Sequence, residues 1–83
     1  MAGLINIGFG NMVNMEKILT IINPDSAPAK RMIQKAKEEE RLVDGTQGRR
    51  TKSVILLESN HIVLSALQPD TLSGRFVGKE IDH

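Results

Sequence analysis

Thr51-Lys52-Ser53-Val54-Ile55-Leu56-Leu57-Glu58-Ser59-Asn60-His61-Ile62-Val63-Leu64-Ser65-Ala66-Leu67 is two apolar runs on either side of a polar break. Each run is short and rich in β-branched residues, which favours strand over helix. Ser59-Asn60 is a tight-turn signal, so the stretch predicts an antiparallel hairpin of strands Thr51–Glu58 and His61–Leu67. Side chains alternate along a strand: Val54 and Leu56 point one way, Ile55 and Leu57 the other, and Ile62 and Leu64 oppose Val63. Both faces are therefore apolar, and both must be covered. One helix covers one face, so a second layer is required, either a short C-terminal helix or another subunit.

Upstream, Leu4–Ile7 and Ile18–Ile22 read as two further short strands, the second ending at Asn23-Pro24. Between them Gly8-Phe9-Gly10-Asn11 breaks the chain as a bend or bulge, and Phe9 is expected to be buried in the core or at a subunit contact. Ser26 caps a helix expected from about Ala27 to Arg41, with Pro28 in its first turn. Ala29, Met32, Ile33 and Ala36 recur at the spacing of a core-facing stripe. Lys30 and Arg31 stand in the first turn and Glu38 to Glu40 in the last, the reverse of what the helix dipole favours. Two explanations stay open: an anion binds beside the helix start, or packing dominates. Pro69-Asp70-Thr71 opens a short C-terminal helix over Leu72–Val77, interrupted by Gly74, and the tail Gly78–His83 is expected to fray. The fold class is thus α+β: a small antiparallel four-stranded sheet with one main helix and a short C-terminal helix, in a single domain spanning residues 1–83.

At 83 residues, with no cysteine and only two histidines, neither a disulfide nor a metal cage is available to reinforce so small a core, which leaves self-association. The N-terminal residues lack the pattern of a signal peptide, and no apolar run is long enough to span a membrane, so a cytoplasmic protein is expected. A net charge of +1 argues against a strongly basic DNA clamp, but the charge is unevenly spread. Repetition of a basic loop around an assembly adds weak patches into a strong one.

The basic loop is Asp44-Gly45-Thr46-Gln47-Gly48-Arg49-Arg50-Thr51-Lys52. Its glycines mark an exposed connection that delivers adjacent guanidinium groups to the start of a strand. The planar fork of arginine matches phosphate and the edge of guanine, although an Arg-Arg pair is also compatible with ordinary solvated charge. With no Trp or Tyr, stacking on single-stranded bases is disfavoured, leaving double-stranded DNA as the nucleic-acid candidate. No enzyme is expected. His61 is the only internal histidine, the glutamates at 38–40 are consecutive rather than paired, and no phosphate loop, metal spacing or triad is visible. No cofactor, metal or small-molecule substrate is implied. A ligand sensor built on Gly8-Phe9-Gly10 rests on one weak pattern.

Five strings, Ile5-Asn6-Ile7-Gly8-Phe9-Gly10-Asn11, Ser26-Ala27-Pro28, Lys30-Arg31-Met32-Ile33-Gln34, Gly48-Arg49-Arg50-Thr51 and Gln68-Pro69, closely resemble the RemA family of small bacterial regulators. The resemblance implies a sequence-preferring, double-stranded DNA-binding activator of biofilm and extracellular matrix genes. It also implies a ring-like homo-oligomer, a heptamer or octamer, with promoter DNA running along its rim. The family's DNA-binding positions are matched by Arg49, Arg50 and Pro28. A further one, arginine in the matrix regulators, is Lys17 here and lacks the bidentate fork. The family tyrosine before Gly-Arg-Arg is Gln47. Lys30, Arg31 and Thr51, lying in the matched strings, complete the candidate contact set. The competing reading is a structural or protein-interaction ring with no nucleic-acid partner.

Overall fold

The computed structural model describes residues 3–81. Strands β1 (Leu4–Gly8) and β2 (Asn11–Asn14) form one antiparallel hairpin, and a 3-10 turn at Met15–Lys17 leads into β3 (Ile18–Ile22). Helix α1 (Ala27–Glu38), β4 (Leu42–Asp44), β5 (Ser53–Leu57), β6 (Ile62–Ser65) and helix α2 (Pro69–Ile81) follow. The main sheet has the order β3-β5-β6-β4.

The predicted hairpin forms as β5–β6, closed by a turn in which Asn60 takes the left-handed conformation at φ 72°. The strict alternation holds. Val54, Ile62 and Leu64 bury themselves with Ala36 on the α1 side, where Met32 and Ile33 pack against them. Ile55 and Val63 join Ile5, Ile7 and Leu72 on the other side. The required second layer is therefore the β1–β2 hairpin together with α2. Ser65 Oγ fastens this layer to the sheet by donating to the Ile7 carbonyl at 2.7 Å.

Four expectations are corrected. The four-stranded sheet is mixed, because β4 pairs in parallel with β6. Three residues are too few to show an alternation, so β4 carried no periodic signal. Leu4–Ile7 does not belong to that sheet: positive φ at Gly8, Phe9 and Gly10 reverses the chain at once, and β1 pairs locally with Asn11–Asn14 across a bulge. Helix α1 stops at Glu38 rather than Arg41. Finally, α2 continues through Gly74 and Gly78 to Ile81, longer than Leu72–Val77; of the predicted frayed tail, residues 82 and 83 lie outside the described residues. Of the two places expected for Phe9, the core or a subunit contact, the core is excluded: it stands exposed on this chain at the hairpin tip.

The end of α1 has an identifiable cause. The Arg41 N–H donates to the Ala36 carbonyl at 2.7 Å and the Glu40 N–H to the Lys37 carbonyl, the paired bonds of a Schellman cap. This cap needs a left-handed residue, normally glycine, and Glu40 fills the position at φ 59°. Left-handed backbone costs an L-residue roughly 1–2 kcal/mol. Glu40→Gly is therefore expected to raise unfolding stability by about 1 kcal/mol, partly offset by greater freedom in the unfolded chain. Chemical denaturation of both proteins checks it; a loss of stability would contradict this account of the cap.

Candidate nucleic-acid interface

Strands β3, β6 and β4 run in the same direction and β5 runs against them. The C-terminal ends of three strands and the start of the fourth therefore meet at one end of the sheet. The connections gathered there are the β3–α1 turn, the Gly45–Lys52 loop and the Ala66–Gln68 segment.

The Gly45–Lys52 loop is held at several points. The Gly45 N–H donates to the Leu64 carbonyl at 2.9 Å and the Lys52 N–H to the Ser65 carbonyl at 2.8 Å, so β6 anchors both ends. Asp44 Oδ1 accepts from the Thr46 N–H at 2.9 Å and from Thr46 Oγ1 at 2.6 Å. The Arg49 N–H then closes a turn on the Thr46 carbonyl at 3.0 Å, with Gln47 at φ 55° and Gly48 at φ 80°. Two positive φ angles in the centre make this the type I′ geometry that glycine favours in second place. Gly45 is constrained differently: a Cβ there would lie 3.0 Å from the Leu64 carbonyl oxygen. Arg49 therefore leaves from a defined turn rather than from a slack loop.

Arg49, Arg50 and Lys52 are exposed and Thr51 is half-buried. Among the described residues, none of these three cations is paired with a carboxylate. Arg50, Thr51 and Lys52 line a shallow polar depression of about 160 Å³ with Asn23, Pro24 and Asp25 of the β3–α1 turn. Helix α1 leaves that turn with Ser26 Oγ accepting from the Ala29 N–H at 3.2 Å, so Pro28, Lys30 and Arg31 emerge, exposed, in the first turn at the same end of the sheet. The fold thus gathers six of the seven candidate residues at one end.

Lys17 is the exception. It enters β3 at the opposite end, where its Nζ meets Glu58 Oε1 at 3.0 Å and its carbonyl accepts from the Glu58 N–H. At roughly 3.3 Å per residue, the five-residue strand β3 puts about 15 Å between it and the arginine end. The candidate contact set left out Lys52, although the basic loop includes it, and the Asn23–Asp25 turn. Lys52 was legible as part of the basic run, whereas the turn joins the arginines only through the β3–β5 pairing.

The Thr46 hydroxyl and N–H hold the Asp44 carboxyl below its ordinary value, and slight burial opposes them. A carboxylate depressed on folding contributes stability that is complete above its unfolded pKa and is lost as pH falls through the folded value. Thr46→Val is expected to return the Asp44 titration towards the usual carboxylate range and to loosen the turn. An NMR titration of the Asp44 side-chain carbonyl measures this, and an unchanged midpoint would remove the hydroxyl from the explanation.

The RemA-like family profile, described as extracellular matrix regulatory protein A-like, matches residues 4–76. A Fervidobacterium nodosum chain named "Putative regulatory protein" is 50% identical over 82 residues, 99% of this chain and 88% of that one. Like-named chains match from Geobacillus thermodenitrificans, at 52% identity over 96% of this chain and 92% of the relative, and from Thermosipho melanesiensis, at 53% over 93% and 82%.

Proposed function

This chain belongs to the RemA-like family, and from that premise we propose that it is a double-stranded DNA-binding transcriptional regulator working as a ring-like homo-oligomer. The names of the relatives speak of regulation. The observation that carries the DNA reading is the state of Arg49 and Arg50. They are exposed and without carboxylate partners among the described residues, on a turn anchored to β6. The anchored backbone loses little freedom when these guanidinium groups meet phosphate, no ion pair among the described residues has to break first, and the fork suits a guanine edge if one enters the groove. Pro28, Lys30 and Arg31 widen the basic surface around the start of α1, and Thr51 adds a hydroxyl.

Lys17 has a different role within one chain, as the partner of Glu58, and it reaches DNA only where the duplex also tracks that second end. The family description speaks of extracellular matrix regulation, and activation of biofilm and matrix genes is the target proposed from the resemblance.

Gel-shift titration of genomic promoter fragments tests the binding step. Retardation that weakens steeply with salt is expected, since phosphate neutralisation releases counterions. Absence of retardation at low salt would favour an assembly of protein contacts alone. Chromatin immunoprecipitation then identifies the promoters bound.

A further inference from the structure

The shallow depression at the basic end carries one acid among its cations: Asp25 lines it together with Arg50, Thr51 and Lys52. The Asp25 side chain is exposed, and among the described residues it pairs with neither cation. Its backbone is nonetheless fixed. The Asp25 N–H donates to Asn23 Oδ1 at 2.8 Å, and Ser26 Oγ donates to the Asn23 carbonyl at 3.3 Å. Two other carboxylates near this end are occupied differently: Asp44 Oδ1 is taken up by Thr46, and Asp70 lines a separate groove beside β3. The dipole of α1 favours an acid just ahead of it. That alone does not account for a carboxylate set among the cations that the DNA reading uses.

We infer that Asp25 is a specificity-determining residue of the proposed interface, accepting a hydrogen bond from the N4 amino group of a cytosine beside the guanine edge that Arg50 takes. The inference rests on the duplex reading above. An ionised carboxylate can only accept. The phosphates and sugars along a duplex are acceptors, so its donors are base amino groups: cytosine N4 and adenine N6 in the major groove, guanine N2 in the minor. Arg50 selects among them. Its fork fits the O6 and N7 acceptors of guanine, and the cytosine paired with that guanine shows its N4 amino group in the same groove. Adenine places a donor and an acceptor on one base, which suits the amide of Asn or Gln instead. A guanidinium and a carboxylate side by side therefore match a G·C pair. They reach it from two segments, Asp25 from the β3–α1 turn and Arg50 from the Gly45–Lys52 loop, brought together by the pairing of Ile22 with Val54.

Asp25 also works against the wrong sequence. Where no amino group meets it, the carboxylate lies among phosphates with nothing to offset their repulsion, and that sequence is penalised. Arg49, Arg50 and Lys52 draw the chain to any duplex, because phosphate contacts carry no sequence information. One acid among them supplies the discrimination they lack. The two kinds of side chain thus have opposite effects when removed. Loss of an arginine weakens binding everywhere, whereas loss of Asp25 strengthens binding to unrelated DNA and blurs the choice of sequence.

The parent chain and Asp25→Asn are each used to select from a pool of duplexes with a randomised segment, at one salt concentration, and the bound sequences are counted. Asparagine keeps the size of the side chain but removes the charge and adds donors. The parent's motif is expected to contain a G·C pair at which the variant's preference falls about tenfold, the scale of discrimination at one base pair. Retardation of a duplex lacking the motif is expected to strengthen. Asp25→Ala, which leaves no acceptor, should lose the same preference. Thermal unfolding of the variants isolates a role in starting α1: a lower Tm with an unchanged motif makes Asp25 a support for the helix and overturns the proposal. An unchanged motif at unchanged Tm overturns it as well, as does weaker binding to unrelated DNA, or a parent that binds DNA but selects no motif. In each of those cases the parent still retards DNA and the duplex reading stands. A parent that retards no duplex removes that reading, and this inference with it.

Discussion

The double variant Arg49→Ala, Arg50→Ala is expected to fold and assemble as the parent does and to lose DNA retardation. Both side chains are exposed, and no hydrogen bond or ion pair ties either to another part of the described chain. Removing them should thus change stability by no more than about 0.5 kcal/mol. The loss falls on binding. Each phosphate contact removed lowers the slope of log affinity against log salt by about 0.9, and in the proposed ring every subunit on the duplex would contribute its own pair. The lysine version separates charge from geometry: Arg49→Lys, Arg50→Lys should keep most of the salt slope but lose preference among promoter sequences, because an ammonium cannot supply two parallel bonds. A double-alanine protein that binds with an unaltered salt slope would move the interface away from this loop.

Ile55→Ala is expected to be the most damaging single substitution in the core. Ile55 is fully buried on the central strand β5, paired with Ile21 on one side and Val63 on the other, and clustered with Ile5, Ile7 and Leu72. It lies where the β1–β2 layer and α2 both rest on the sheet, so no neighbour can close the gap without disturbing two layers. Truncating a buried isoleucine to alanine costs about 2–5 kcal/mol. Small domains hold about 5–15 kcal/mol in all. At roughly 4–8 °C per kcal/mol for a domain of this size, Tm should fall by at least about 8 °C. Ile55→Val, which removes one methylene, should cost only about 0.5–1.5 kcal/mol. Thermal unfolding at fixed protein concentration is the measurement, because self-association of the kind proposed would make Tm concentration-dependent. A shift of only a few degrees for the alanine variant would show that the two layers are less tightly coupled than their shared core implies.

Much of the candidate interface was legible without coordinates. Gly48 with Arg49 and Arg50 marks a turn that presents guanidinium groups, and Ser26 with Pro28 marks a helix start; both signals act within a few residues. Invisible was their adjacency. Asn23 and Arg50 are 27 positions apart, and they share a depression only because Ile22 pairs with Val54. Lys17 shows the same limit from the other side: it looks like one more member of the basic set, yet the fold carries it to the far end, onto Glu58.

By itself the sequence determined the features that near neighbours decide: the β5–β6 hairpin around Ser59-Asn60, the two-faced alternation from Val54 to Leu64, and the capped start of α1. The tertiary structure alone decided that β1 pairs with β2 outside the main sheet, that β4 lies parallel to β6, and that Glu40 takes a glycine's place in the helix cap. Period and turn chemistry are set by the conformations of a few adjacent residues. The partner of a three-residue strand is set by the surface it buries against residues 20 positions away, and no local pattern carries that energy.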